Sequence, residues 1–535
     1  MEHLTPVRCQ DSMQGEILLV TLNAKYIHAS FGLRYLHANM GELKDRTRIL
    51  EFDINQKIGD IAEQILKRNP SLVGFGVYIW NVDGVSKLIA ILKQLNPQLK
   101  LVVGGPEVSF EIETQKWLDK VDYIITGEAD IAFSVLCHQL INSPDSTCDI
   151  PKQIRSQLPV VKDIQLPYEL YSDQDIKHRI VYVEASRGCP FTCEFCLSSL
   201  DVPVRAFPLE SFLTEIDRLY TRGLRHFKFV DRTFNLNIQT GKAILGFFLQ
   251  KYVPGMFLHF EMIPDRLPEP LRELIAKFPS GAIQFEIGIQ TFNPVVSENI
   301  SRRQDLVKLE DNLKFLRTQT GVHLHVDLIA GLPGETMDSF GNGFDRLIGL
   351  NPQEIQIGIL KRLRGTPIVR HDSEFQMIYD SNAPYEVLRT RDFEFIDLQR
   401  IKRFARYWDL VGNSGNFVDS VSLFWESTKM PFFSFMAFSD WLYLRTGQRH
   451  GIALTRLVAF IFEYLTSQIS VDSNVAAKTL WKDYQRAGRS DQPIALRPYL
   501  EEIKVNQIQK NELVNNNFGN EKQLRQKRQQ KHTDN

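Results

Sequence analysis

The chain predicts an α/β protein in three parts: an N-terminal doubly wound parallel sheet, a central partial (β/α)6 TIM-like barrel, and a C-terminal helical domain. Three observations lead there. Short apolar runs alternate with helical periodicity up to about residue 140. A second alternation occupies 179–372, and beyond it apolar residues recur only at spacings of three and four. A chain of 535 residues also exceeds what one ordinary hydrophobic core organises.

In the first part the strand candidates are 16–23, 48–53, 71–79, 99–105 and 121–128. The run 82–95 between them sets Val85, Leu88, Ile89, Ile91 and Leu92 on one helical face. Five strand–helix repeats predict a sheet with helices on both sides, over residues 1–140. Such sheets bind ligands at the carboxyl ends of their strands, where this chain places Gly104-Gly105-Pro106 and Gly127-Glu128.

Residues 141–178 carry several prolines and weak periodicity, and read as a linker. Strands are then expected at 179–186, 225–231, 256–262, 282–290, 322–331 and 354–361, with helices between, as at 211–223 and 305–319. Six units fall short of a closed eight-stranded barrel, so 179–372 is expected to roll into an open one. From 373 to 505, the spacing of Leu398, Ile401, Phe404, Trp408 and Val411 marks an amphipathic helix within a helical domain. The Gln-, Asn- and Lys-rich stretch 506–535 reads as a disordered tail.

Hydrophobic residues make up 43% of the chain and the formal net charge is -1, so electrostatics supply no reason to expect nucleic acid or an acidic membrane as partner. The substrate is expected to be a small molecule, or a protein met through shape. Ala453 to Leu465, the most apolar late stretch, is broken by Arg456 and Glu463 and reads as a core helix, not a membrane span. The first sixteen residues lack the basic-then-apolar order of a secretion signal. Six cysteines, three of them (Cys9, Cys137, Cys148) scattered, do not make a disulfide framework, which suits a reducing, cytoplasmic setting.

The other three, Cys189, Cys193 and Cys196, form a CxxxCxxC run just after a predicted strand. Three thiolates can hold a 4Fe-4S cube while leaving one iron open, whereas electron-transfer clusters ordinarily take four. A structural zinc site also wants four ligands, and no fourth cysteine or histidine stands nearby.

On these residues the chain resembles the radical S-adenosylmethionine superfamily. The resemblance implies that Cys189, Cys193 and Cys196 ligate the cluster and that its free iron binds S-adenosylmethionine. One electron, from a reductase, flavodoxin or ferredoxin, then cleaves the cofactor to a 5'-deoxyadenosyl radical. The stretches 260–266, 288–294, 300–304 and 327–336 are similar to strand-end motifs of the coproporphyrinogen-dehydrogenase-like branch. That similarity implies ribose contacts from Glu261 and Gln290, methionine contacts from Arg302 (or its neighbour Arg303) and Asp327, and backbone approach to adenine at Gly331 and Gly334. Many members carry Gly-Gly-Glu at the end of the second strand. Here the stretch is Phe229 to Asn235, with Asp231 as the expected substitute.

A doubly wound domain ahead of such a barrel resembles the cobalamin-binding class. This implies a Rossmann/flavodoxin-like sheet that cradles cobalamin on Gly104, Gly105, Pro106, Gly127 and Glu128, with the 78–81 loop alongside. His28, in NAKYIHASFG, has the wrong spacing for the Asp-x-His-x-x-Gly run that supplies a cobalt ligand elsewhere, so none is expected from it. The activities in view are methylation of an unactivated centre, a cobalamin-assisted oxidation, cyclisation or rearrangement, and non-catalytic carriage of cluster or corrin. The helical domain is expected to cap the open side of the barrel.

Overall fold

The computed structural model describes residues 15–142, 150–201 and 203–500. The expected tail 506–535, Cys9 and Cys148 lie outside these residues.

The first part contains β1 (Ile17–Asn23), α1 (Phe31–Ala38), β2 (Thr47–Asp53), α2 (Ile58–Leu66), β3 (Leu72–Gly76), α3 (Val82–Leu95), β4 (Lys100–Gly104), β5 (Tyr123–Thr126), α4 (Ala132–Asn142) and β6 (Gln153–Arg155). They form one parallel sheet of order β2-β1-β3-β4-β5-β6. The chain reverses direction across the sheet between β1 and β3, and a crevice opens at the strand ends there. β1 is buried at every position because helices cover both faces. One apolar layer gathers Val85, Leu88, Ile89 and Leu92 of α3 under the sheet. The other sets Phe133, Leu136 and Cys137 of α4 against the opposite face. β6 falls within the expected linker: three residues of it pair with β5 and extend the sheet by a sixth strand.

The second part begins with α5 (Asp173–His178) and β7 (Val181–Val183), followed by a two-stranded hairpin of β8 (Ser186–Arg187) and β9 (Arg205–Ala206). Then come α6 (Leu209–Thr221), β10 (His226–Phe229), α7 (Ile238–Gln250), β11 (Phe257–Glu261), α8 (Glu269–Ile275), β12 (Ile283–Gln290), α9 (Pro294–Asn299), α10 (Leu306–Gln319), β13 (His323–Ala330), α11 (Met337–Leu350) and β14 (Glu354–Ile359). Six strands lie in the order β14-β13-β12-β11-β10-β7, each beside its sequence neighbour. Among the described residues nothing pairs β14 with β7, so the barrel is open.

A short hairpin, β15 (Ile378–Tyr379) and β16 (Val387–Arg389), leads to α12 (Phe395–Val411), α13 (Pro431–Thr446), α14 (Leu454–Ser467) and α15 (Ser473–Arg486). These helices continue the barrel's outer layer past its free edge. Phe344 of α11 packs edge-on against Phe404 and Trp408 of α12, at 5.1 and 4.9 Å between ring centroids. Barrel and helices therefore share one continuous apolar core. The Asn413 side chain closes the exposed edge of β14: its amide donates to the Ile355 carbonyl at 3.0 Å and accepts from the Ile355 N–H at 2.9 Å. An amide side chain here takes the place of a missing strand. α14 buries Leu457, Val458, Ile461 and Leu465 in this core, and no helix among the described residues is long and apolar enough to cross a membrane.

Candidate functional site

The cysteines lie on the loop of the β8–β9 hairpin. Gly188 starts that loop at φ +86°, where an added Cβ would lie 2.7 Å from the Asp201 carbonyl oxygen and 2.8 Å from that of Pro203. Only glycine fits so close to backbone in that conformation. Cys189 N donates to the Asp201 carbonyl at 2.9 Å, closing the loop behind the first thiol. Glu194, between the second and third cysteines, is buried and accepts from Ser301 Oγ at 2.5 Å and from His371 Nε2 at 2.9 Å. Arg370 completes this grip as an ion pair. All three cysteines are free thiols, and all three border one cavity of ≈ 260 Å³ at the barrel mouth.

The opposite wall of that cavity comes from strand ends. Glu261 (β11), Glu286 and Gln290 (β12) and Asp327 (β13) border it, together with Arg302 and Arg303 from the loop after α9. A slip in the pairing between Gly288 and Gln290 carries Gln290 into the left-handed region at φ +73° and aims its side chain into the cavity. Strain of this kind in a non-glycine residue collects at functional sites. Gln290 Oε1 and Arg302 Nε are buried with no partner, groups that a bound polar ligand would satisfy. Arg302 also spans the site, its Nη1 3.4 Å from Cys193 Sγ and its Nη2 donating to the Gly288 carbonyl.

Not every expected residue arrives here. Asp231 is buried away from the cavity and accepts from Ala185 N at 3.0 Å and Ser186 Oγ at 2.6 Å, fastening the root of the cysteine hairpin. Its neighbour Arg232 borders the cavity instead and holds Glu261 by a two-pronged contact of 2.8 and 3.0 Å. Successive side chains alternate in direction at a strand end, so one step in sequence exchanges the two faces. Gly331 and Gly334 do not border the cavity either. An added Cβ at Gly331 would sit 2.6 Å from Val387 Cγ1 of β16, and one at Gly334 would sit 3.1 Å from Phe375. These glycines make room for the segment following the barrel.

A second cavity, of ≈ 280 Å³, opens at the carboxyl edge of the first sheet. Gly32, Gly74, Gly76, Gly104, Gly105 and Gly127 border it, a run of positions where side chains would fill the space. Gly105 holds φ +109° with its Cβ position 2.5 Å from the Val77 carbonyl oxygen. Tyr78, which lines the cavity, stacks on half-exposed Trp80 at 4.5 Å between ring centroids. Pro106 and Glu128 do not border it. Glu128 turns to the barrel, 2.9 Å from Arg187 and paired with Arg205, because two guanidinium groups offer the carboxylate more than an apolar crevice can. No histidine borders the cavity among the described residues. His28 lies where the sheet meets the barrel, its Nδ1 2.6 Å from Tyr182 Oη.

The cysteine hairpin serves both cavities: Arg187 borders the glycine-lined one and Cys189, two residues on, borders the thiol-lined one. Arg187 pairs with Glu184 and Asp130 as well as Glu128, so charges buried at the joint are matched on both sides.

Such a fold and site define a two-cofactor protein: a nucleotide-type sheet joined to an open barrel with a three-thiol loop. Comparison with known proteins makes this specific. Residues 17–137 match the B12 binding domain and residues 183–347 the radical SAM superfamily, while 373–535 match a protein of unknown function (DUF4080) family. The chain thus carries a cobalamin-binding domain followed by a radical SAM enzyme domain.

An uncharacterized methyltransferase of Pyrococcus horikoshii is 25% identical over 334 residues, covering 57% of this chain and 70% of that protein. The cobalamin-dependent radical SAM methyltransferase TokK of Streptomyces tokunonensis is 22% identical over 461 residues, covering 77% of this chain and 63% of TokK. Among solved structures, the cobalamin-dependent S-adenosylmethionine radical enzyme OxsB, with aqua-cobalamin and S-adenosylmethionine bound, matches with a TM-score of 0.60 at 14% identity, covering 91% of this chain and 83% of that one. The methyltransferase TsrM from Kitasatospora setae matches with a TM-score of 0.55 at 17% identity over 70% of this chain and 80% of that one. At these identities the structures establish a shared fold.

The domains imply a 4Fe-4S cluster, S-adenosylmethionine and cobalamin, and the residues present fit them. Three free thiols face a cavity whose buried amide and guanidinium atoms lack partners, and the second cavity is walled by glycines.

Proposed function

We propose that this chain is a cobalamin-dependent radical S-adenosylmethionine methyltransferase acting on an unactivated carbon or phosphorus centre of a small molecule. The observation that carries this reading is that one hairpin lends Arg187 to the glycine-lined cavity and Cys189 to the thiol-lined one, which suits a methyl carrier and a radical source serving one substrate. When bound, the cluster supplies the electron that cleaves S-adenosylmethionine, and the corrin supplies a carrier for the methyl group.

The chain's own residues hold and orient. Cys189, Cys193 and Cys196 ligate the cluster and leave one iron free. Arg302 and Asp327 take the amino-acid part of S-adenosylmethionine, while Glu261 and Gln290 take its ribose. Glu261 presents its carboxylate in the direction Arg232 imposes. Gly104, Gly105 and Gly127 make room for the corrin's nucleotide tail. A flavodoxin, ferredoxin or dedicated reductase delivers the electron, in a cytoplasm reducing enough to keep the thiols free.

Support for methyl transfer comes from relatives whose names describe methyltransferases, although the match spans only 63% of TokK and 48% of a carbapenam-carboxylate methyltransferase of Streptantibioticus cattleyicolor. Anaerobic reconstitution followed by mass spectrometry tests the reading. Both S-adenosylhomocysteine and 5'-deoxyadenosine are expected under a strong reductant. The deoxynucleoside alone assigns an oxidation, cyclisation or rearrangement, and bound cofactors without either product assign a carrier.

A further inference from the structure

The inward positions of this barrel are polar, where a barrel interior is ordinarily filled with branched apolar side chains. Parallel register sets Glu261 beside Glu286, Glu286 beside His325, and His325 beside Glu354, so one tier of four charged or ionisable residues crosses four strands. His325 is the junction of that tier with the cavity. Its Nε2 lies 3.4 Å from Asp327 Oδ1, and its Nδ1 lies 3.4 Å from Glu354 Oε2. Glu354 is secured in turn by His323 Nε2 at 3.0 Å from its other oxygen. Of His323, His325, Glu354 and Asp327, only Asp327 borders the cofactor cavity.

We propose that His325 is a positioning residue: an imidazolium, anchored by Glu354, that holds the Asp327 carboxylate ionised and aimed at the amino-acid part of S-adenosylmethionine. The inference rests on the reading of the cavity given above and extends it to residues that never touch the cofactor.

The electrostatics run the same way. Burial, the largest influence, holds Asp327 above the ordinary carboxylate range, and the charge of His325, 3.4 Å away, is the main influence opposing it. Burial also disfavours a charged His325, yet the carboxylates of Asp327 and Glu354, each 3.4 Å away, push it up to about 10, so it stays cationic through the neutral range. The other groups nearby do not replace it. Glu286, from β12, is anionic and occupied by His259 at 2.9 Å and Lys228 at 3.9 Å. Burial lowers His259, on β11, to about 4, so it is neutral. Arg302, the remaining cation acting on Asp327, is committed to the Gly288 carbonyl and lies beside Cys193.

The sign of the pH effect follows. Wild-type His325 keeps its proton from about pH 6 to about pH 9, and affinity for S-adenosylmethionine is expected to be flat over that range. Removing the charge of Glu354 takes away one of the two groups that retain the proton. His325 then loses it as pH rises, and Asp327 loses its counter-charge.

The test is S-adenosylmethionine binding to the anaerobic, cluster-loaded full chain, followed by paramagnetic resonance of the reduced cluster, with iron and sulfide content as the control for folding. His325→Gln is expected to weaken binding roughly tenfold throughout, and His325→Lys to restore much of it. Glu354→Gln is expected to bind like wild type near about pH 6 and roughly tenfold more weakly near about pH 9. Wild-type affinity in a fully loaded His325→Gln enzyme overturns the proposal. If that variant loses its cluster, a pH-independent affinity in Glu354→Gln overturns it instead. Failure of the wild type to bind S-adenosylmethionine overturns the underlying reading of the cavity, and so is distinct from both.

Discussion

Arg187 and Asp130 meet as a forked ion pair, Nη1 to Oδ2 at 2.9 Å and Nη2 to Oδ1 at 3.1 Å. One residue belongs to the hairpin that carries the cysteines and the other to the end of the first sheet, so this pair fixes the two cofactor cavities relative to one another. Neither partner is accessible enough for water to take over its role.

Arg187→Ala is expected to destabilise the joint by about 3 kcal/mol, because Glu184 and Asp130 are left buried without their cation and Glu128 keeps only Arg205. Arg187→Lys recovers only part of that, since a point ammonium cannot reproduce two parallel bonds. Denaturant unfolding of the three proteins checks the order, which is wild type, then lysine, then alanine.

Cys193→Ala is expected to abolish stable cluster assembly, because two thiolates cannot hold the cube. Iron and sulfide analysis after anaerobic reconstitution reads this directly, and cobalamin retention by the same variant is expected to persist. Wild-type iron content would falsify the assignment of Cys193 as a ligand.

Gly105→Ala places a Cβ within 2.5 Å of the Val77 carbonyl oxygen in a backbone conformation that L-residues avoid. A cost of about 1–3 kcal/mol is expected, together with weaker corrin retention, as the β3 and β4 ends shift apart. Absorbance of bound corrin after gel filtration measures the second effect, and chemical denaturation the first.

Gln290→Gly separates stability from binding. Glycine accepts φ +73° without strain, so stability is expected to hold or rise by about 1 kcal/mol, while the amide proposed to serve the ribose is lost. An equilibrium titration should show S-adenosylmethionine affinity falling roughly tenfold as the melting temperature does not.

Asp231 offers a pH signature. Burial, the largest influence, pushes it up to about 7 against hydrogen bonds from Ser186 and Ala185. The folded chain therefore holds a proton that the unfolded chain releases near its ordinary value of about 4. Stability from this group is present at low pH and lost as pH rises from there toward about 7. Asp231→Asn removes the proton exchange. Relative to wild type, the variant should thus be more stable near about pH 8 than near about pH 5, as read from unfolding midpoints at the two pH values.

Several features were readable in advance for local reasons. The α3 helix spans the predicted residues 82–95, because its apolar face repeats over nearly four turns. Strand starts lie within two residues of expectation throughout the barrel, each bounded by a polar or glycine break. The cysteine loop announces itself through spacing alone. The sixth strand of the first sheet was not readable, because three exposed or half-buried residues in a proline-rich stretch carry no period.

Site residues divide in the same way. Glu261, Gln290, Arg302 and Asp327 lie on strand ends or the loop following α9, and the fold gathers them at one cavity with the cysteines. Arg232 was missed in favour of Asp231 because a strand-end stretch does not say which of two adjacent polar residues faces inward. At Gly331 and Gly334 the tertiary structure brings up Val387 and Phe375, residues remote in sequence that no local spacing signals.

By itself, then, the sequence determined the order of parts, the strand–helix alternation and the metal-binding chemistry, since each depends on side chains a few positions apart. The tertiary structure alone decided which charges meet: Arg187 with Asp130, Glu194 with His371, His325 with Glu354. The reason is physical. A buried charge persists only where a partner from elsewhere in the chain offsets its lost hydration, and that partner is chosen by packing and register, neither of which is written in local spacing.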